Sequence, residues 1–122
     1  MSRSLVTVRK ISEAESAVVE RALTVAATDD AAGALSNRVR ALQIVGRCGC
    51  GCASVDFRTP APGQIARIVA DADAFAADGE YVGLLIWAID DELSGLEVYS
   101  YSDNPAPLPV VTSITVHSAG DS

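Results

Sequence analysis

Between residues 13 and 27 apolar positions recur every three or four residues. Ala14, Val18, Ala22, Val25 and Ala26 form a stripe, and Glu13, Glu20, Arg21 and Thr24 fall largely outside it. That period predicts an amphipathic helix with one face on a core. Its start is marked by Ser12-Glu13-Ala14-Glu15, a capping box whose serine and glutamate satisfy backbone N–H groups that have no partner inside the helix. Thr28-Asp29-Asp30 offers caps for a second helix, with Ala31, Leu35, Val39 and Leu42 on its apolar side and Ser36, Asn37, Arg38 and Arg40 on the other.

From Gln43 the pattern changes to short β-branched bursts separated by glycine, proline and aspartate, which predicts strands over 43–47, 53–58, 65–75, 82–89 and 93–101, with a further candidate at 111–116. Asp78-Gly79 and Asp90-Asp91-Glu92 read as hairpin turns joining consecutive strands. The predicted fold is therefore α+β, with two N-terminal helices packed on a four- to five-stranded antiparallel meander sheet. Leu84, Ile86 and Ala88 share one face of their strand and Leu85, Trp87 and Ile89 the other, so this strand is expected to be buried on both sides. The prolines of Asp103-Asn104-Pro105-Ala106-Pro107-Leu108-Pro109 lack the N–H a central strand needs, which predicts an extended segment across the surface. Residues 1–122 read as one domain, with 1–10 and 118–122 expected to fray.

Charge narrows the partners. Sixteen acidic against nine basic side chains give a net charge of −7, a field that repels nucleic-acid phosphates and anionic lipids and favours a basic protein partner or plain solubility. The first ten residues hold too short an apolar run for an export signal, and residues 81–89 are about half the ~20 residues a membrane span requires. A cytoplasmic, non-membrane protein is the expectation.

Candidate chemistry centres on Arg47-Cys48-Gly49-Cys50-Gly51-Cys52, which holds all three cysteines of the chain. Thiols this close, with no export signal, fit a reducing compartment rather than a disulfide framework. In a regular strand neighbouring cysteines would sit roughly 6–7 Å apart, too far for one ion, but Gly49 and Gly51 are free to fold the segment into a tight turn. Chelation then becomes feasible at Cys48, Cys50 and Cys52. Zinc would want a fourth ligand, for which Asp56 and the sole histidine, His117, are remote candidates, whereas Cu(I) accepts fewer and softer donors. No cofactor is required by the pattern. The plainest account makes the cysteines small fillers of a turn between two buried strands. A redox role has less support, because no Cys-x-x-Cys opens a helix.

Asp71 and Asp73 share a strand face and could be paired acids in a cleft, although alternation more simply leaves both in water. Glu97, Tyr99 and Tyr101 mark a candidate interaction face, with Trp87 near them across a hairpin, and an exposed tyrosine pair there would suit a partner or a homodimer contact.

The run Arg47-Cys48-Gly49-Cys50-Gly51-Cys52-Ala53-Ser54-Val55-Asp56-Phe57, followed by Leu93-Ser94-Gly95-Leu96-Glu97-Val98-Tyr99-Ser100-Tyr101 and Pro107-Leu108-Pro109, resembles an uncharacterised family of small bacterial proteins. The resemblance covers most of the chain after the first helix and implies an α+β domain, with no activity or catalytic residue to carry over. Some small acidic bacterial proteins with a similar ending accompany toxins as inhibitors, an analogy of immunity-like function that no motif secures. The chain contains no G-x-S-x-G, H-E-x-x-H or phosphate loop. The leading expectation is a protein-binding or regulatory module rather than an enzyme. A thiolate metal-binding protein is the first alternative, and an enzyme with acids in a sheet-side cleft the second.

Overall fold

The computed structural model describes residues 4–117. Chain order gives β1 (Ser4–Lys10), α1 (Glu13–Ala26), α2 (Asp30–Ala34), a 3-10 segment (Leu35–Ala41), β2 (Gln43–Arg47), β3 (Val55–Asp56), β4 (Arg67–Phe75), β5 (Tyr81–Ile89), β6 (Glu92–Tyr99) and β7 (Thr115–Val116).

The capping box forms: Glu15 N donates to Ser12 Oγ at 3.1 Å and Ser12 N donates to Glu15 Oε1 at 2.9 Å. Arg9 grips the same carboxylate through two bonds of 3.0 and 2.8 Å, tying β1 to the start of α1. Burial pushes the Glu15 carboxyl up, but the bonds from Arg9 and Ser12 outweigh it and hold the group below its ordinary value. The second helix is shorter than its apolar stripe predicted. Asp29 caps it by accepting from Ala32 N at 2.7 Å, and after Ala34 the chain tightens into the 3-10 segment, which buries Leu35 and Val39.

The α+β class stands, but the described residues form a seven-stranded antiparallel sheet rather than four or five strands, in the order β1-β2-β3-β6-β5-β4-β7. Part of the segment expected to fray, Ser4–Lys10, is an edge strand paired with β2; residues 1–3 and 118–122 lie outside the described residues. Of the expected meander, β2–β3 and β4–β5–β6 form as consecutive antiparallel neighbours, and only the step from β3 to β4 fails. β3 pairs with β6 and is therefore separated from β4, its neighbour in sequence, by two strands. Pro60 and Pro62 lie in the connection, whose missing N–H groups disfavour a hairpin ladder, and its ten residues readily cross the about 14 Å between those strands. The predicted strand over 53–58 shrinks to Val55–Asp56, and 111–116 divides into a 3-10 turn and the two-residue β7.

One face of the sheet is covered. α1 buries Val18, Val19, Ala22 and Leu23 against Ala70, Ala72 and Ala74 of β4 and Val82, Leu84 and Ile86 of β5. Alanines on β4 leave room for the helix to approach the strand. At its C-terminal end, Thr28 N donates to Val69 O at 2.9 Å, next to the bulge between Ile68 and Ala70. Among the described residues no helix lies on the other face, and β5 is not fully buried on both sides: Tyr81, Leu85 and Trp87 are half-buried. Register sets the rows of this open face. Asp71, Leu85 and Glu97 form one, Asp73, Gly83 and Tyr99 the next, and Ile68, Trp87, Gly95 and Asp56 a third. No helix among the described residues is long and apolar enough to cross a membrane.

Candidate functional site

The cysteine segment leaves the sheet at the end of β2 and returns at β3. Cys48 N donates to Ser54 O at 3.4 Å, closing a turn in which Gly51 takes a positive φ of 92° that a residue with a side chain rarely adopts. Two anchors hold it. The buried Ser54 hydroxyl accepts from Val98 N at 2.8 Å and donates to Val98 O at 3.2 Å, and Ala53 N donates to Ala106 O at 2.9 Å. The second bond lays the proline-rich segment against the turn, as expected of an extended surface stretch, with Pro105 Cγ 3.6 Å from where a Cβ on Gly51 would sit.

Inside this frame the sulfurs converge. Cys48 Sγ and Cys50 Sγ are 2.8 Å apart, and all three Sγ atoms lie within 4.8 Å of one another. Cys50 N points at Cys48 Sγ at 3.5 Å and Cys52 N at Cys50 Sγ at 3.4 Å, so the turn aims backbone dipoles at sulfur. The expectation of buried filler cysteines is corrected: Cys50 is exposed and Cys48 and Cys52 are only half-buried, because the turn stands off the sheet. A cavity of about 380 Å³ opens beside them, walled by Cys52, Glu97, Tyr99, Ser102 and Pro105.

The thiols are not equivalent. Bonds to Cys48 and Cys52 push the Cys50 thiol up to about 11. Burial pushes Cys52 up, but bonds from Ser54, Cys50 and Cys48 outweigh it and bring that thiol below its ordinary value. The Cys52 proton therefore leaves before that of Cys50.

Neither remote zinc ligand reaches the cluster. Asp56 faces the open side of the sheet, opposite the buried Val55 and Phe57. His117 lies beyond β7, about 19 Å away at the usual strand spacing, with its Nδ1 2.9 Å from Asp73 Oδ1. Among the described residues no other Cys, His, Asp or Glu joins the three thiols.

On the open face, Asp73 Oδ1 also accepts from the Tyr81 hydroxyl at 2.7 Å. Burial, with Asp73 and Tyr99 beside it, raises the Tyr81 hydroxyl far above its ordinary value. Tyr101 stacks on Tyr81 at 5.8 Å and meets Tyr99 edge-on at 6.2 Å. Trp87 stands apart from this tyrosine group, its Nε1 donating to Glu97 Oε1 at 3.1 Å. Asp71 and Asp73 line neither the cysteine cavity nor a second cavity beside Trp87. Sequence reasoning missed Tyr81 and the bond between Asp73 and His117. The Asp78-Gly79 turn carried the signal for Tyr81, since counting back from it pairs Phe75 with Tyr81.

No family model, curated protein or solved structure matches this chain.

Proposed function

We propose that this protein binds one soft metal ion, Cu(I), through the thiolates of Cys48, Cys50 and Cys52. The observation that carries the reading is the convergence of the three sulfurs to within 4.8 Å on a turn anchored at both ends. Around an ion with bonds of about 2.3 Å, three sulfurs in a trigonal plane are about 4.0 Å apart, so Cys48 and Cys50 would open from 2.8 Å, an adjustment that side-chain rotation supplies. Soft donors favour Cu(I), which is satisfied by three, whereas a closed zinc site takes four. With Cys50 exposed, an ion held here is open to attack by an incoming thiolate. That suits a protein that buffers or passes on its metal.

Native mass spectrometry of protein loaded with Cu(I) under a reducing atmosphere, with a chromogenic Cu(I) chelator as competitor, tests this. One copper per chain is expected, retained against the chelator by the wild type and lost from Cys50→Ser. Retention of copper by that variant, or a wild type that takes up zinc and no copper, overturns the assignment.

A further inference from the structure

The three thiols are not evenly spaced, and the unevenness singles out one pair. Cys48 Sγ and Cys50 Sγ are 2.8 Å apart. A disulfide bond is about 2.05 Å long, so closing this pair asks the sulfurs to approach by about 0.8 Å, within the reach of side-chain rotation. A Cys-x-Cys spacing with no helix start is a poor redox signal in sequence. The turn supplies the proximity that the spacing does not.

Three features suit the pair to bond formation. Cys50 is exposed, so a small disulfide can reach its sulfur, and Cys48 stands behind it half-buried. The bonds that frame the turn, from Cys48 N to Ser54 O, from Ala53 N to Ala106 O and between the Ser54 hydroxyl and Val98, involve no sulfur, so they survive when two sulfurs join. On the other side of Cys50 the chain runs through Gly51, held at a φ of 92° with Pro105 against it, which fixes the backbone between Cys50 and Cys52. Cys48 is therefore the partner of Cys50, and Cys52 is left as a thiol.

We propose that Cys48 and Cys50 are a reversible dithiol–disulfide couple that reacts with low-molecular-mass disulfides. In the first step the Cys50 sulfur, as thiolate, attacks one sulfur of the incoming disulfide; that S–S bond breaks, a mixed disulfide forms on Cys50, and the released thiolate takes up the proton Cys50 gave. In the second, the Cys48 sulfur attacks Cys50 Sγ and expels the other half of the reagent, which leaves with the Cys48 proton. The protein pair is oxidised by two electrons and the reagent is reduced to two thiols. Excess thiol runs both steps backwards. The couple stands independently of the copper reading; only its effect on the metal rests on that reading, since the closed bond withdraws two of the three sulfurs.

The test uses metal-free protein incubated with glutathione disulfide. Free thiols are then blocked with iodoacetamide, the protein is reduced, newly freed thiols are labelled with N-ethylmaleimide, and tandem mass spectrometry locates each label. Iodoacetamide on Cys52 and maleimide on Cys48 and Cys50 are expected, with no glutathione retained. Cys48→Ser should hold glutathione on Cys50 and close an internal bond about tenfold or more slowly, whereas Cys52→Ser should close as the wild type does. A wild type that keeps glutathione, a bond that includes Cys52 or joins two chains, or a Cys48→Ser variant that closes at the wild-type rate would each overturn the proposal. Copper uptake measured before and after oxidation separates the two readings: uptake in neither state sinks the copper site and leaves the labelling result standing, and equal uptake in both shows that the pair did not close.

Discussion

The two faces of β5 are built from alternate residues of one nine-residue strand yet answer to different physics. Val82, Leu84, Ile86 and Ala88 are sealed under α1, where each atom removed leaves a void. Tyr81, Leu85 and Trp87 carry half-exposed bulk held by hydrogen bonds and ring contacts, with acids from β4 and β6 between them. On this face tyrosine, tryptophan and carboxylates hold one another, with no helix over them among the described residues. The comparison makes predictions that differ between neighbours in sequence.

The largest effect belongs to Leu84→Ala, which should destabilise the protein by about 2–5 kcal/mol through the cavity it leaves. Leu85→Ala, one residue away, gives up only half-buried area and should lose about 1 kcal/mol. Urea unfolding of the two variants measures both. Equal losses would mean that the open face is as closed as the core.

Gly83→Ala comes next and strains the comparison where the open face is most tightly packed. A Cβ at this position would overlap the Tyr99 ring, which lies directly over the glycine. Overfilling a packed site costs about 1–3 kcal/mol, and because the overlap falls on the far end of the Tyr99 side chain the lower end is expected. The displaced ring should also lose its edge contact with Tyr101, seen as a change in near-ultraviolet circular dichroism. A variant as stable as wild type with an unchanged spectrum would show that the ring does not rest there.

How much of this was legible beforehand depended on how local each feature is. The capping box, the stripe of α1, the hairpin turns and the three-thiol turn lie within windows of a few residues, where spacing alone decides the outcome. Cys48, Cys50 and Cys52 were candidates for that reason; their exposure was not readable, because it depends on where a distant proline segment packs. β1 was missed although Val6-Thr7-Val8 is a β-branched run, since its partner β2 lies beyond two helices. The open face was half legible. Alternation put Leu85 with Trp87 and Glu97 with Tyr99, but strand order and register bring in Asp56, Asp71, Tyr81 and His117, and no short window contains those.

His117 gives the smallest effect and the finest test of how the open face is closed at its edge. β7 is only two residues long, and its hold on β4 is extended by His117, whose N–H donates to Asp71 O at 3.0 Å and whose ring meets the Asp73 carboxylate. That bond raises the imidazole above its ordinary 6.5. A group whose folded value is raised stabilises fully at pH values below the unfolded one and loses that contribution as pH rises through the folded value. Wild type should therefore exceed His117→Gln in melting temperature at pH 6 by no more than about 2 °C, since an exposed pair is worth little. As pH rises past the raised value the two melting temperatures should converge. Thermal melts of both proteins at half-unit steps from pH 5.5 to 9 decide the matter. Curves that run parallel throughout would mean that β7 is held by its backbone bonds alone, and that the ring contributes no charge to the open face.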